Sequence, residues 1–419
     1  MIADVLIKNA SELVTARGAR GGPKTKDGMQ DLGIIGNGAL AIEGSEIIAV
    51  GETDEVLSTV KQTRTVIDAT DKIVLPGFVD CHTHLVFGGS REHEFIQKIE
   101  GRSYLEIMQK NGGIFSTVEK TRQALASPGT LMDRARAFLG KMLAFGTTTA
   151  EIKTGYGLSA ESELGLLKII AGLKESQPVD IVSTFLGAHA FPREYEKRKA
   201  DYIRLVLAML ERFEAESLAE YCDVFVEEGA FSPSEARTIL EQAKQRGLKL
   251  KLHAGEFSDM GGVELGAELG ATSIDHLDYI SERGMELMAE KKTIGVLLPG
   301  VPFHLMSNKY APARKLIEAG VPIALATDFN PGSCPTLSMQ MIIALACRQM
   351  KLTPAEAINA ATINAAYALD RGDKVGSIEV GKRSDIIVLD IPHYQQLPYW
   401  FGFNLVTTVV KNGVIAYPP

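Results

Sequence analysis

The chain has 419 residues, of which 45% are apolar and 23% charged, and 44 Lys and Arg against 52 Asp and Glu give a net charge of −8. This composition is that of a globular protein and excludes a disordered chain. An acidic balance without a basic block argues against nucleic acid or an anionic membrane as a partner. A chain of this length can bury about three quarters of its unfolded surface, so its core does not depend on disulfides.

The cysteines and the N-terminus bear on cellular location. None of the four cysteines has CxxC spacing, which favours a reducing compartment. The first residues alternate between apolar and polar types, unlike a secretory segment, and no apolar stretch is long enough to span a membrane. We therefore expect a cytoplasmic protein with no membrane partner.

Both ends of the chain consist of short alternating segments separated by Gly- and Asn-containing turns, a pattern typical of β-strands. The Asn412-Gly413 pair is a strong hairpin signal. These observations predict one small β-sandwich domain assembled from residues 1–73 and 371–419. Its predicted strands are residues 5–7, 39–42, 47–51, 65–68, 376–378, 384–389 and the two arms of 407–415.

The middle of the chain, residues 74–370, alternates short apolar runs with amphipathic helical stretches, as βα repeats do. Eight strands over about 300 residues favour a (β/α)8 barrel over an open sheet, so the predicted class is α/β. The segment 100–146 is too long for a simple βα loop, and we expect it to cover the site or to contribute to a subunit contact. The predicted barrel strands are 72–79, 147–152, 180–186, 223–227, 248–252, 273–274, 293–298 and 322–326, with helices such as 159–173, 233–246 and 312–319 between them.

Polar residues follow or end several of the predicted barrel strands. His82 and His84 come after the first strand, and residues two apart on a strand point to the same face. His253, His276 and Asp328 end three later strands. Because the carboxyl ends of barrel strands meet at the catalytic face, this pattern predicts a transition-metal site there.

The same motifs carry a family resemblance. A His-x-His pair after Pro-Gly-Phe-Val-Asp, later strand-end histidines and aspartate, and β-rich termini resemble the amidohydrolase superfamily over the whole chain. Five further motifs are similar to the imidazolonepropionase family, whose members open 4-imidazolone-5-propanoate to N-formimidoyl-L-glutamate in the third step of histidine degradation. These motifs are residues 87–92, 151–157, 185–190, 253–256 and 327–333.

The resemblance implies a metal held by His82, His84, His253 and Asp328. Zinc or iron suits this set, as one divalent or trivalent transition metal per chain. Such a cation lowers the pKa of a water molecule toward neutrality. Asp328 is then expected to move the water proton, His276 to orient the water and stabilise the oxyanion, and Glu256 to accept a hydrogen bond from a ring N–H.

The substrate that the resemblance implies also carries a propionate, which needs a cation when it is bound out of water. Arg91, on the loop after the first barrel strand, is the expected clamp, and Tyr156 and His189 are expected supports. A turn with backbone N–H groups and a hydroxyl is expected to face the same anion. This turn contains Asn330, Gly332 and Ser333.

Lys153 bears on the number of metals. Two-metal relatives use a carbamylated lysine on the fourth barrel strand as a bridging ligand. In this sequence Lys153 ends the second predicted strand, and the fourth ends in Glu227-Glu228-Gly229. A single metal ion is therefore predicted.

Two other functions remain open from the sequence. The first is a deaminase of an aminated heterocycle on the same barrel, which would use the same metal groups but would not need Arg91. The second is a metal-free scaffold protein, which would tolerate the loss of Asp328. The resemblance also suggests a homodimer.

Overall fold

The computed structural model describes residues 1–18, 21–102 and 112–418. Residues 103–111, which belong to the segment expected to cover the site or to contribute to a subunit contact, lie outside the described residues. The described chain forms two eight-stranded sheets, one drawn from both chain ends and one from the middle.

The strands are numbered here in chain order. They are β1 (Ile2–Val14), β2 (Ile34–Glu43), β3 (Glu46–Glu52), β4 (Gln62–Asp68), β5 (Ile73–Pro76), β6 (Phe78–Asp80), β7 (Thr147–Lys153), β8 (Asp180–Ala188), β9 (Tyr221–Val226), β10 (Lys249–Ala254), β11 (Ser273–His276), β12 (Ile294–Leu297), β13 (Ile323–Leu325), β14 (Ile386–Leu389), β15 (Val406–Lys411) and β16 (Val414–Tyr417).

The helices of the described residues are numbered in the same way, and two short 3₁₀ helices, Lys26–Gln30 and Arg193–Tyr195, accompany them. The helices are α1 (Thr53–Thr59), α2 (Glu92–Ile99), α3 (Ile114–Ala124), α4 (Pro128–Ala144), α5 (Ala160–Ser176), α6 (Lys199–Ala215), α7 (Pro233–Gln245), α8 (Gly262–Leu269), α9 (Glu282–Lys291), α10 (Gly300–His304), α11 (Ala313–Ala319), α12 (Met339–Gln349), α13 (Pro354–Ala361), α14 (Ile363–Tyr367) and α15 (Gln396–Tyr399).

Strands β6 to β13 form the predicted barrel. They are parallel and pair in sequence order, with helices in the connections. The first and last strands meet just beyond their carboxyl ends, where Thr83 and Phe329 form a parallel bridge. At this seam the Asp328 N–H donates to the His82 carbonyl at 3.0 Å, and the His84 N–H donates to the Phe329 carbonyl at 2.9 Å. The seam therefore joins the segments that carry three of the predicted metal ligands.

Helix α7 illustrates how local sequence positions the barrel helices. Ser232 and Glu235 form a capping box at its start, and Pro233 occupies the first turn, where its missing N–H costs nothing. Apolar residues then recur every three or four positions and pack against the barrel. The buried residues are Ala236, Ile239, Leu240 and Ala243.

The two chain ends form the second sheet, as predicted. Its order is β16-β15-β14-β5-β1-β2-β3, with β4 beside β1, so all strands belong to one hydrogen-bonded network. Strand β1 is antiparallel to β2 and parallel to β4 and β5. The predicted hairpin is confirmed: Asn412 and Gly413 join β15 to β16 with φ values of 51° and 78°, which suit a primed turn.

Two sequence predictions about strands differ from the structure. Residues 376–378 do not form a strand: Gly376 adopts a φ of +87°, and Ile378 joins the terminal sheet through one backbone bond to Thr15 at 2.7 Å. The apolar run 72–79 is divided, because Ile73–Pro76 pairs in the terminal sheet while Phe78–Asp80 begins the barrel. The domain boundaries at residues 73 and 371 stay a prediction.

None of the helices in the described part of the chain combines the length and apolar character that crossing a bilayer requires.

Candidate active site and metal centre

The four predicted metal ligands converge at the carboxyl end of the barrel. The Nε2 atom of His84 lies 3.3 Å from the Nε2 atoms of His82 and of His253. Asp328 Oδ1 lies 3.3 Å from His82 Nε2 and 3.4 Å from His84 Nε2. A tetrahedral zinc site with ligand distances of about 2.0–2.1 Å has edges of roughly 3.3–3.4 Å, and these four distances match such edges.

The protonation and hydrogen bonding of these four side chains also suit metal binding. Burial lowers the pKa of His82, His84 and His253 well below the ordinary value, with Lys153 contributing to each shift. The imidazoles are therefore neutral, which is the form that binds metals. Asp328 Oδ1 is buried without a hydrogen-bond partner among the described residues, which is costly unless a cation or water satisfies it.

Two buried carboxylates hold two of these histidines from behind. His82 donates its Nδ1–H to Asp275 Oδ2 at 2.6 Å, and His253 donates its Nδ1–H to Asp223 Oδ1 at 3.0 Å. Such bonds fix the tautomer that leaves Nε2 free for a metal, and they raise the basicity of the ligand. Neither carboxylate was among the site residues predicted from the sequence.

The carboxylates belong to a wholly buried network of charges inside the barrel. Lys153 Nζ lies 2.7 Å from Asp223, 3.0 Å from Glu151 and 3.3 Å from Asp275, and Lys251 Nζ lies 2.9 Å from Glu151. Burial alone would lower the pKa of Lys153, but the three carboxylates outweigh it and hold the pKa well above the ordinary value. A signal existed in the sequence, since these residues alternate with apolar ones on barrel strands and so point inward.

His276 and Glu256 lie beside the four ligands. His276 Nε2 is 3.7 Å from Glu256 Oε2, and His276 forms a second possible ligand group with His82 and His253, whose atoms lie within 4.8 Å of one another. Burial lowers the pKa of His276 to about 4 and raises that of Glu256 well above the ordinary value. Both side chains line the cavity, so they are close enough to act on a bound substrate.

Tyr156 and His189 form an aromatic wall next to His84. The rings of His84 and His189 are stacked with centroids 4.9 Å apart, and the Tyr156 ring lies 5.6 Å from that of His84. His189 donates its Nδ1–H to the Gly155 carbonyl at 3.1 Å, and burial lowers its pKa to about 4. His189 is thus neutral, with Nε2 as an acceptor.

Glu163, which the sequence analysis did not identify, holds the loop that carries Tyr156. Its carboxylate accepts backbone N–H groups from Gly157 and Leu158, each at 2.8 Å, and from Gly155 at 3.1 Å. Burial raises the pKa of Glu163, whereas these hydrogen bonds oppose that shift. The first turn of α5 therefore fixes the shape of this wall.

Arg91 also lines the cavity, and its guanidinium is already paired. Its Nε and Nη2 donate to Glu94 Oε2 at 2.9 and 2.6 Å. A Cβ at Gly332 would collide with Arg91 Nη1, so glycine is required for the guanidinium to reach this position. Lys98 Nζ donates to the Gly332 carbonyl at 3.0 Å, and burial and Arg91 lower its pKa to about 8.

The turn after Asp328 has an internal hydrogen-bond pattern. The N–H groups of Gly332 and Ser333 both donate to Asn330 Oδ1 at 2.8 Å. Asn330 Nδ2 in turn donates to Ser333 Oγ at 2.8 Å. The backbone groups expected to face an anion are thus used within the turn in this structure, while the Ser333 hydroxyl keeps its own hydrogen to donate.

One cavity of about 1070 Å³ brings the predicted site residues together. Asp328 and His276 line it with backbone φ values of +50° and +82°. Buried His82 is the one predicted site residue outside the lining. The predicted residues that line the cavity are His84, Arg91, Tyr156, His189, His253, Glu256, His276, Asp328, Asn330, Gly332 and Ser333.

Comparison with known proteins gives a consistent result. The model of the amidohydrolase family matches residues 73–416. An imidazolonepropionase of Alkaliphilus oremlandii (strain OhILAs) is 47% identical over 418 residues, covering 99% of this chain and 98% of that protein. Another, of Geobacillus sp. (strain WCH70), is 49% identical over 414 residues, with coverage of 98% and 97%.

Solved structures share the fold at low sequence identity. An adenosine deaminase from Xanthomonas campestris with bound zinc superimposes with a TM-score of 0.74 at 20% identity, covering 99% of this chain and 93% of that chain. An ochratoxinase of A. niger gives a TM-score of 0.70 at 20% identity, with coverage of 99% and 96%. At this identity the likeness concerns the fold alone.

Proposed function

This chain belongs to the imidazolonepropionase family of the amidohydrolases, and from that premise we propose that it hydrolyses 4-imidazolone-5-propanoate to N-formimidoyl-L-glutamate. The reaction opens a cyclic amide in the degradation of histidine. The observation that carries the proposal is the position of His84 Nε2, which lies 3.3–3.4 Å from ligand atoms of His82, His253 and Asp328, beside a cavity that Arg91 also lines.

We propose that His82, His84, His253 and Asp328 hold a single zinc or iron ion. When bound, the ion polarises the ring carbonyl and makes a water molecule acidic enough to react near neutral pH. Lys153 supports the choice of one metal rather than two. It lies at the end of the second barrel strand and is bonded to three carboxylates, whereas the fourth strand β9 is followed by Glu227.

The protein's own groups then move protons and hold the substrate. Asp328 accepts a proton as water adds to the ring carbonyl carbon, and it returns that proton to the ring nitrogen when the carbon–nitrogen bond breaks. His276 orients the attacking water and stabilises the developing oxyanion. Glu256 accepts a hydrogen bond from a ring N–H. The carbonyl carbon of the ring becomes the carbon of the new carboxylate in the product.

The part of the cavity lined by Arg91 and Ser333 is proposed to bind the propionate. Arg91 lines the cavity, and because its Nε and Nη2 donate to Glu94, its Nη1 is the group proposed for the propionate, with Ser333 adding a hydroxyl donor. We propose Tyr156 and His189 as its supports, and Gly332 leaves room for the Arg91 guanidinium. A charged recognition site of this kind favours an anionic substrate over an uncharged heterocycle.

The test is an assay of the purified, metal-quantified protein with 4-imidazolone-5-propanoate, following loss of ultraviolet absorbance and formation of N-formimidoyl-L-glutamate by mass spectrometry. We expect turnover that a chelator abolishes and added zinc or iron restores. A panel of aminated heterocycles serves as the comparison. Turnover of that panel without ring opening of the imidazolone, with metal bound, would overturn the substrate assignment while keeping the metal site.

Location and assembly complete the proposal. We place the enzyme in the cytoplasm, supported by its four free cysteines, of which three are buried. A homodimer is the expected assembly. Sedimentation equilibrium of the full chain tests this, and a monomer at micromolar concentration would contradict it.

A further inference from the structure

Lys153 occupies an unusual position behind the candidate metal centre. Its side chain is completely buried in the barrel. Its Nζ contacts carboxylates from three strands, namely Glu151 on β7, Asp223 on β9 and Asp275 on β11. A lysine surrounded in this way holds three strands through one ammonium group.

Two of these carboxylates also hold metal-ligand histidines. Asp275 Oδ2 receives both the His82 Nδ1–H at 2.6 Å and Lys153 Nζ at 3.3 Å. Asp223 receives the His253 Nδ1–H on Oδ1 at 3.0 Å and Lys153 Nζ on Oδ2 at 2.7 Å. Each carboxylate is thus held between the same ammonium group and a different histidine.

We infer that Lys153 is a positioning residue: it holds Asp223 and Asp275 so that His82 and His253 present their Nε2 atoms to one metal ion. The carboxylates at these positions repel each other, and an ammonium group between them removes that repulsion. Partners of metal-ligand histidines usually affect metal affinity about 10- to 100-fold. Lys153 does not touch the histidines themselves, but it contacts the carboxylate partners of two of them.

Lys251 provides a matched comparison in the same network. It is equally buried, and its Nζ bonds to Glu151 Oε2 at 2.9 Å and to the Cys81 carbonyl at 3.2 Å. It is not bonded to Asp223 or Asp275 in the described structure. K153M and K251M therefore remove the same charge from the same interior, but only K153M removes the group between the two carboxylates.

The experiment measures zinc affinity of the full chain by competition with a chromophoric chelator, together with thermal unfolding of the metal-free forms. We expect K153M to weaken zinc binding by about 10- to 100-fold. K251M should weaken it clearly less, although both metal-free variants lose thermal stability. Equal loss of zinc affinity in the two variants, or unchanged affinity in K153M, would reduce Lys153 to a structural role and overturn the inference.

A second pair of variants serves if K153M does not fold. Two lysines and three carboxylates leave the network with a formal charge of −1, and both E151Q/K153M and E151Q/K251M keep that value. Any difference in zinc affinity between these doubles reports position rather than charge. We expect E151Q/K153M to be the weaker binder, and equal affinities would contradict the inference.

This inference rests on the metal site of the proposed function but not on its substrate. Failure of the unaltered protein to bind zinc or iron would remove the metal site itself. Normal zinc binding without turnover of the imidazolone would remove only the substrate assignment, and the comparison of Lys153 with Lys251 would still stand.

Discussion

At the scale of single residues, the site departs from ordinary backbone preference. Asp328 and His276 have φ values of +50° and +82°, in the left-handed region that L side chains rarely adopt. Each such residue costs on the order of 1–3 kcal/mol and persists only where its surroundings hold it. For Asp328, the backbone bond to the His82 carbonyl at the seam is such a restraint. The strained backbone aims both side chains into the cavity.

The first prediction concerns the proton-transfer role of Asp328. Asp328→Asn keeps the size of the side chain but cannot take the water proton, so we expect kcat to fall by about 10²–10⁴-fold. Metal content measured on the same sample shows whether the variant loses activity because it loses the metal or because it lacks the proton acceptor. Full activity in metal-loaded D328N would contradict this role.

The second prediction concerns the propionate clamp. Removal of one partner of a buried charge pair costs about 2–5 kcal/mol, so Arg91→Ala should raise KM at least ~30-fold with a smaller effect on kcat. The double variant R91A/E94Q controls for the carboxylate that R91A leaves unpaired. An unchanged KM in both variants would favour a deaminase of an uncharged heterocycle.

At the scale of elements, the start of helix α2 brings Arg91 to the cavity, and two further charged residues of the helix follow on the same side. Arg91 precedes the helix, and Glu94 and Lys98 follow three and seven residues later, so all three lie on one side. Glu94 pairs with Arg91, and Lys98 bonds to the Gly332 carbonyl. Of these three residues Arg91 lines the cavity, and together the three carry one more positive than negative charge, which suits an anionic substrate nearby.

The third prediction uses the pKa of Lys98, which burial and Arg91 lower to about 8. The ammonium form is present below that pH and is lost as the pH rises through it, so attraction for the propionate declines above pH 8. We expect KM to rise between pH 7 and 9 in the unaltered protein. In K98M, KM should be higher at pH 7 and should change less over this range. Parallel KM–pH curves for the two proteins would show that Lys98 does not act on the substrate.

At the scale of the whole molecule, the proposed metal ligands lie on both sides of the barrel seam. His82 and His84 follow β6, the first barrel strand, and Asp328 follows β13, the last. His253 lies on β10, well away from both in the strand order. An ion bound by all four would tie the closing strands to each other and to the rest of the barrel.

The fourth prediction is that metal removal destabilises the fold. A ligand that binds only the folded state adds about 4 kcal/mol of stability when its free concentration is 1,000 times its Kd. Thermal unfolding of the metal-free protein should therefore begin at a lower temperature, and it should recover with added zinc. Magnesium serves as the control cation because its preferred ligands are oxygens. Equal unfolding temperatures with and without zinc would contradict a bridging metal at the seam.

The sequence by itself determined the barrel and the contribution of both chain ends, and it predicted the four residues proposed as metal ligands. Strand-end positions carry this information, because parallel barrel strands bring their carboxyl ends to one face whatever the details of packing. The hairpin at Asn412-Gly413 was equally readable, since local backbone preference decides it. Predictions of this kind depend on short-range pattern and on general topology.

The tertiary structure decided which groups support that site. Lys153, Asp223 and Asp275 lie far apart in the sequence, and their contacts depend on the depth and stagger of three strands. The division of the run 72–79 between two sheets depends on which partner strands are available. The Asn330 turn uses backbone N–H groups that the sequence left free for an anion. Hydrogen bonds and ion pairs between distant residues are set by packing, and no local pattern records them.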